Sequence, residues 1–233
     1  VLRRAGVALH QAKQAGLGQV VIFQPDMAEA VGKRFRIEKD LRRAIPAGEL
    51  QPYLQSQVDH MGRCVGAEVL VRWNHPRLGM VEPGDFIPVA EESDLIVQLG
   101  DWMLEQACRM LVRPEFVQQG WRLSVNVSWR QFRQPDVVDK LKRTLAATGA
   151  DPRRLTLEVT ESVVMRDVDE ARERMAELQL LGVEMGLDDF GTGYSSLAYL
   201  QRLPFRELKI DKSFVQDCHT LSLIHISEPT RQE

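Results

Sequence analysis

The chain has 233 residues, 44% hydrophobic and 27% charged, with a net charge of −3, the balance of an ordinary soluble globular protein with room for a substantial core. No basic cluster is sustained, which argues against a duplex nucleic-acid partner. No apolar run reaches membrane-spanning length and no secretory signal opens the chain, so no membrane contact is expected within this segment.

In chain order, Leu2 to Ala15 reads as a helix, followed by a Gly-Leu-Gly turn at 16–18 and a short strand, Val20 to Phe23. Pro25 opens a linker, 25–32. Val31 to Ile45 then forms an amphipathic helix with Ile37, Leu41 and Ile45 on one stripe, stopped by Pro46 and Gly48. From Gln51 onward strand patterns alternate with helical ones. The strands are Gln51–Asp59, Cys64–Trp73, Arg122–Ser128, Arg154–Glu161, Val183–Asp189 and Glu207–Phe214. The helical stripes between them carry Ile96, Leu99, Met103 and Ala107; then Val138, Leu141 and Leu145; then Val164, Val168, Ala171, Met175 and Leu178. After the first two strands, a strand recurs about every 25–30 residues, the rhythm of βα units. A closed barrel of such units needs roughly 250 residues, and the six strands found here leave it incomplete. From Leu221 the pattern breaks: apolar residues alternate, Pro229 interrupts, and the peptide resembles a translated sequencing-adapter end. Residues 221–233 are therefore set aside as an artefactual tail.

Cys64, Cys108 and Cys218 are widely spaced with no Cys-x-x-Cys pair, so neither a disulfide frame nor a zinc site is expected, and a reducing cytoplasm fits best. His10, His60, His75, His219 and His225 show no ligand spacing and read as ordinary surface or loop residues. The chain opens on Val1, as a piece of a longer protein would.

Alternation along the strands separates polar from apolar faces. Glu68 and Arg72 share a face on the second strand; Ser124, Asn126 and Ser128 on the third; Thr156, Glu158 and Thr160 on the fourth; Lys209 and Asp211 on the sixth. A half-exposed antiparallel sheet would give the same alternation. The intervening helices favour the other arrangement, in which they cover the apolar faces and the polar ones converge inside a barrel, late in each strand. Asp188 and Asp189 stand side by side at a strand end before a glycine-hinged loop, Phe190 to Ser196. Two adjacent carboxylates are costly to hold unless a cation compensates them. The oxygen donors of Glu68, Asn126, Glu158, Asp188 and Asp189 suit a hard cation, Mg²⁺ or Mn²⁺, and two such ions would suit in-line phosphoryl displacement. Arg72 is placed to clamp a phosphate oxygen, and Lys209 to orient a water or neutralise developing charge. A structural salt bridge is the competing role for each of these two.

These residues resemble a known family. Glu68-Val69-Leu70-Val71-Arg72-Trp73 is similar to the Glu-Ala-Leu-x-Arg-Trp motif that names the EAL domain, the bacterial cyclic-di-GMP phosphodiesterase. In the family's order follow Ser124–Ser128, Leu157–Ser162, Asp188–Leu197 and Lys209-Ile210-Asp211, and the likeness spans roughly residues 33–217. The resemblance implies an α/β fold, a modified (β/α)8 TIM-type barrel, and metal-dependent hydrolysis of cyclic-di-GMP to linear pGpG. It implies metal ligands at Glu68, Asn126, Glu158, Asp188 and Asp189, an active-site lysine at Lys209, and a phosphate contact at Arg72. Glu161 matches the glutamate that steadies the loop after the aspartate pair. Gln55 matches a substrate-pocket glutamine, although the proline usual after it is Ser56 here. An EAL homodimer is a further partner the resemblance allows.

The family's Glu-Gly-Val-Glu motif of the seventh strand does not occur, nor does its eighth-strand glutamine. Residues 33–220 are therefore expected to be a truncated EAL domain with little or no turnover. A non-catalytic cyclic-di-GMP-binding module and a chain that never folds stably remain as alternatives. Residues 1–24 resemble the end of a GGDEF (diguanylate cyclase) domain through Leu2-Arg3-Arg4-Ala5 and Ala8-Leu9-His10-Gln11-Ala12-Lys13, which implies a GGDEF–EAL tandem in the parent protein.

Overall fold

The computed structural model describes residues 2–15, 18, 20–161, 167–191 and 203–211. The expected tail from Leu221, the end of the loop 190–196, Val164 and residues 212–214 lie outside these. The chain divides into two compact units, the first made of residues 1–53 and 71–99, the second of 54–70 and 100–233. Strands β1 (Leu50–Val58) and β2 (Cys64–His75) each contribute to both.

In the first unit, α1 (Leu2–Ala15) forms as expected, but residues 20–24 have no strand structure, and Val20 is 91% exposed. A strand needs a hydrogen-bonding partner, and a short apolar pattern cannot supply one. The linker expected at 25–32 is instead helical, because α2 runs Pro25–Ala47. Proline at the first helical position loses no hydrogen bond and brings its φ already set. At the other end Pro46 sits within the last turn, and the stop comes at Gly48, whose φ of 74° closes the helix with its N–H on the Ala44 carbonyl. Ile37, Leu41 and Ala44 form the buried stripe of α2. A short strand, β3 (Gly79–Val81), pairs antiparallel with the end of β2, and α3 (Pro83–Glu92) follows. Trp73 is fully buried, edge-on to Phe86 and His75, with Nε1 donating to Glu49 Oε2 at 3.1 Å.

His75 corrects the expectation of an ordinary surface or loop histidine. It is 3% exposed, and its Nδ1 accepts from the backbone N–H groups of Arg77 and Leu78. That leaves the proton on Nε2, which points to Asp40 Oδ2 at 3.3 Å. The side chain thus pins the β2–β3 turn.

The second unit is organised on parallel strands β4 (Arg122–Asn126), β5 (Leu155–Thr160), β6 (Glu184–Phe190) and β7 (Glu207–Ile210) beside the first part of β2. The strand order is β1-β2-β4-β5-β6-β7, and every pair from β2 to β7 along it is parallel. This removes the half-exposed antiparallel alternative. The connections carry α4 (Leu95–Leu111, whose first five residues belong to the first unit), α5 (Pro114–Gln119), α6 (Trp129–Phe132), α7 (Val137–Thr148) and α8 (Val168–Leu180). Their apolar stripes are buried, including Leu99, Met103 and Ala107 of α4, Val138, Leu141 and Leu145 of α7, and Ala171, Met175 and Leu178 of α8. In β5 even the polar-face residues Thr156 and Glu158 are buried, as parallel strands covered on both faces require.

The strand starts are held by polar contacts that leave little to chance. Arg154 donates from Nε to the Trp121 carbonyl at 2.8 Å, from Nη2 to that of Phe116 at 2.5 Å, and from Nη1 to that of Leu111 at 3.5 Å. Trp121 Nε1 donates to the Cys64 carbonyl at 3.2 Å. Gly66 lies so close to β4 that a Cβ there would stand 2.4 Å from the Arg122 carbonyl oxygen. Among the described residues, no helix is long and apolar enough to cross a membrane.

Candidate metal centre

The first part of β2 and the later parts of β4, β5, β6 and β7 bring their polar side chains to one place. Register explains it: Glu68 is level with Ser124, Asn126 with Glu158, and Thr160 with Asp188. Asn126 Nδ2 donates to Glu68 Oε1 at 2.7 Å. The reverse amide orientation would set two acceptors against each other, so Oδ1 is the atom this amide has left for a cation. Lys209 Nζ donates to Glu68 Oε2 at 2.7 Å and to Glu158 Oε2 at 2.5 Å. Carboxylate oxygens of Glu68, Glu158 and Asp188 all lie within 4.8 Å of one another.

Asp188 and Asp189 pose a geometrical problem, since consecutive residues of a strand point to opposite faces. A bulge solves it. Leu187 is level with Leu208 and Phe190 with Ile210, so both aspartates stand against the single residue Lys209. Asp189 takes up the extra length with a φ of 55°, a left-handed conformation that aspartate tolerates better than most side chains, and its N–H donates to Asp188 Oδ1 at 3.0 Å. Burial, then the charges of Asp188 and Asp211, raise the Asp189 pKa, with Glu68 adding and Lys209 opposing. Asp189 therefore feels the same cluster as its neighbour.

Glu158 is the most costly member. It is 1% exposed, and burial pushes its carboxyl up to about 7 against the pull of Lys209, with Glu68 adding to the rise. Burial also disfavours the charge on Lys209, but its bonds to Glu158 and Glu68 hold its pKa above the ordinary lysine value. Lys209 stays an ammonium, and the strain of charge falls on Glu158. Glu158 Oε1 is buried without a hydrogen-bond partner among the described residues. A hard cation is the group that such an oxygen, two further carboxylates and an amide oxygen would accommodate. The residues fit a metal ion; they do not say which.

Of the remaining expected residues, Glu161 is buried at the end of β5, and its Oε2 accepts from the Gly191 N–H at 3.1 Å, just beyond the aspartate pair. Gln55 is exposed on β1, on the face it shares with Gln57, whose Nε2 donates to Ser124 Oγ at 3.2 Å. Arg72 belongs to the first unit, where its Nη1 donates to the Val71 carbonyl at 2.8 Å and its guanidinium lies 5.7 Å from the centre of the Tyr53 ring. The structure thus brings together Glu68, Asn126, Glu158, Asp188, Asp189 and Lys209, and leaves Arg72 and Gln55 outside that bonded cluster.

Gly186 was missed by the sequence reading. It is level with Glu158, and a Cβ there would meet Glu158 Cγ at 3.3 Å and Thr156 Cγ2 at 3.4 Å. A glycine inside a strand is the signal that would have found it.

Fold and donor set define a modified (β/α)8 barrel-type domain with an acidic cluster able to hold a metal ion. The sequence profile of the EAL domain matches residues 38–222, and the chain belongs to that family. It is 40% identical over 215 residues to the bifunctional diguanylate cyclase/cyclic di-GMP phosphodiesterase MucR of Pseudomonas aeruginosa, covering 91% of this chain and 31% of that protein. It is 37% identical over 219 residues to the cyclic di-GMP phosphodiesterase NbdA of the same organism, covering 93% of this chain and 28% of that protein. An uncharacterized signaling protein of Caulobacter vibrioides is 41% identical over 220 residues, with 94% and 27% covered. This chain spans between about a quarter and a third of the length of such relatives. Among solved structures, the MucR phosphodiesterase in complex with c-di-GMP superposes with a TM-score of 0.75 at 42% identity, covering 79% of this chain and 75% of that one. The EAL enzyme Bd1971, bound to cAMP and cyclic-di-GMP, gives 0.75 at 28% identity, with 94% and 58% covered.

Proposed function

We propose that this chain carries the site of a cyclic-di-GMP phosphodiesterase, which hydrolyses the cyclic dinucleotide to linear pGpG. The observation that supports it is the convergence of Glu68, Glu158 and Asp188 within 4.8 Å, with one buried glutamate oxygen left open, in a chain of the EAL family. Glu68, Asn126, Glu158, Asp188 and Asp189 are the residues that would hold Mg²⁺ or Mn²⁺. Bound there, the ions supply charge compensation and activate the attacking water. The chain's own residues do the rest. Glu161 fixes the start of the loop after the aspartates through the Gly191 N–H. Lys209 offers a positive charge beside the carboxylates, for the attacking water or the charge that develops on the phosphate. Arg72 clamps a phosphate oxygen and Gln55 contributes to the nucleotide pocket. In the reaction a water oxygen bonds to phosphorus, the bond to one sugar oxygen breaks, and that oxygen leaves with a proton.

The competing reading is a module that binds cyclic-di-GMP without cleaving it. Titration with the nucleotide in Mg²⁺ or Ca²⁺, with pGpG assayed in parallel, separates the two. In the longer protein, Glu68→Ala abolishes Mg²⁺-dependent cleavage; near-normal turnover would reject Glu68 as a ligand. We further place the domain in the cytoplasm beside a GGDEF domain represented by residues 1–24, with a second EAL domain as a candidate partner.

A further inference from the structure

We infer that Lys209 is a resident cation of the carboxylate cluster, and that uptake of a divalent ion expels it from Glu68 and Glu158. The inference rests on the metal reading above and adds a competitor to it. Lys209 takes one oxygen from each glutamate, at 2.7 Å on Glu68 and 2.5 Å on Glu158. The other oxygen of Glu68 is taken by Asn126. Of these four oxygens, Glu158 Oε1 is the one without a hydrogen-bond partner among the described residues, with the Ser124 side chain near enough to favour the Glu158 charge. A divalent ion with oxygen ligands at about 2.0–2.6 Å that draws on both glutamates must take an oxygen of Glu68 now held by Lys209 or by Asn126, and any ligation by Glu158 brings it next to the oxygen the ammonium holds. Two cations sharing those oxygens would stand only a few ångströms apart, where they repel even in this half-buried place.

The exchange has a purpose at each end. Glu68, Glu158 and Asp188 are three carboxylates in mutual reach, and a fixed ammonium lets them be built in without an ion. Once displaced, the same ammonium is free to turn to a phosphate oxygen or water. The availability of Lys209 to the reacting atoms is thus conditional on metal.

Calorimetric titration of Mg²⁺ and Mn²⁺ into the chain and into Lys209→Met tests this. We expect the variant to bind the ions about tenfold more tightly, the size of a typical coupling between linked sites. It should melt lower in EDTA and gain more in Tm on adding ion. Equal or weaker ion affinity in Lys209→Met overturns the inference. A measurement on the unaltered chain does not depend on how the variant folds. Acylation of Lys209 by an N-hydroxysuccinimide ester, read by peptide mass against exposed Lys33, should rise severalfold when Mg²⁺ or Mn²⁺ is added. Unchanged or reduced acylation with ion bound overturns displacement alone. No ion uptake by either protein overturns the metal reading with it.

Discussion

The two ends of the parallel strands in the second unit treat charge in opposite ways, half-buried at one and partly buried at the other. At the strand starts, one guanidinium, Arg154, is matched to three backbone carbonyls, and Glu184 is bracketed by Arg122 and Arg206. Toward the strand ends, three carboxylates share one ammonium, and a glutamate oxygen is left over. Polar groups that are paired hold a fold together; polar groups that are underpaid in charge are available to a ligand. The lesson is that burial alone does not tell structure from function. What distinguishes them is whether the charges close among themselves.

Three experiments press on this contrast. Arg154→Met should be the most damaging to stability, by about 4 kcal/mol in urea unfolding, since carbonyls left unpaired cost roughly 1–3 kcal/mol each. A loss below about 1 kcal/mol would mean water or neighbours replace the guanidinium easily. Glu158→Gln should behave in the opposite sense. It should weaken Mg²⁺ or Mn²⁺ binding by more than about 100-fold, beyond what loss of a supporting contact gives, while melting higher than the unaltered chain in EDTA at pH 8. A lower melting point would show that the carboxylate is structural. The smallest effect should come from pH. Because the Glu158 carboxyl in the folded chain is raised from 4.5 to about 7, the folded form holds an extra proton between those values, so its stability is highest below the window and falls as pH rises through it. Melting in EDTA should follow that slope and level off above about 7. Saturating Mg²⁺ should flatten it, because the ion takes the proton's place. A slope that survives in Glu158→Gln would assign the effect elsewhere.

Much of this site was legible in the sequence because alternation on a strand is a local property. Glu68, Asn126, Glu158 and Lys209 could be put on polar faces from period two alone, and the βα rhythm aligned those faces. What escaped depended on partners. Val20 to Phe23 has a strand's composition but pairs with no strand among the described residues, so it stays irregular. Pro25 was read as the start of a linker, whereas at the first position of a helix it is well tolerated. His75 carries no spacing that marks burial, and only the β2–β3 turn gives its Nδ1 two donors. The bulge in β6 was invisible as well, since pairing register is a relation between two strands and the sequence shows each one separately.

That bulge makes chain length, rather than residue identity, a functional variable. With one aspartate removed, Leu187 would still face Leu208 and Phe190 would still face Ile210, and the ladder between them would become regular. The shortened protein would knit its backbone better than the native one and relieve the left-handed kink at Asp189. It would also hold one negative charge fewer beside Lys209. Continuity of the ladder has been given up for an additional donor, so here a deletion that looks like a repair would be a lesion.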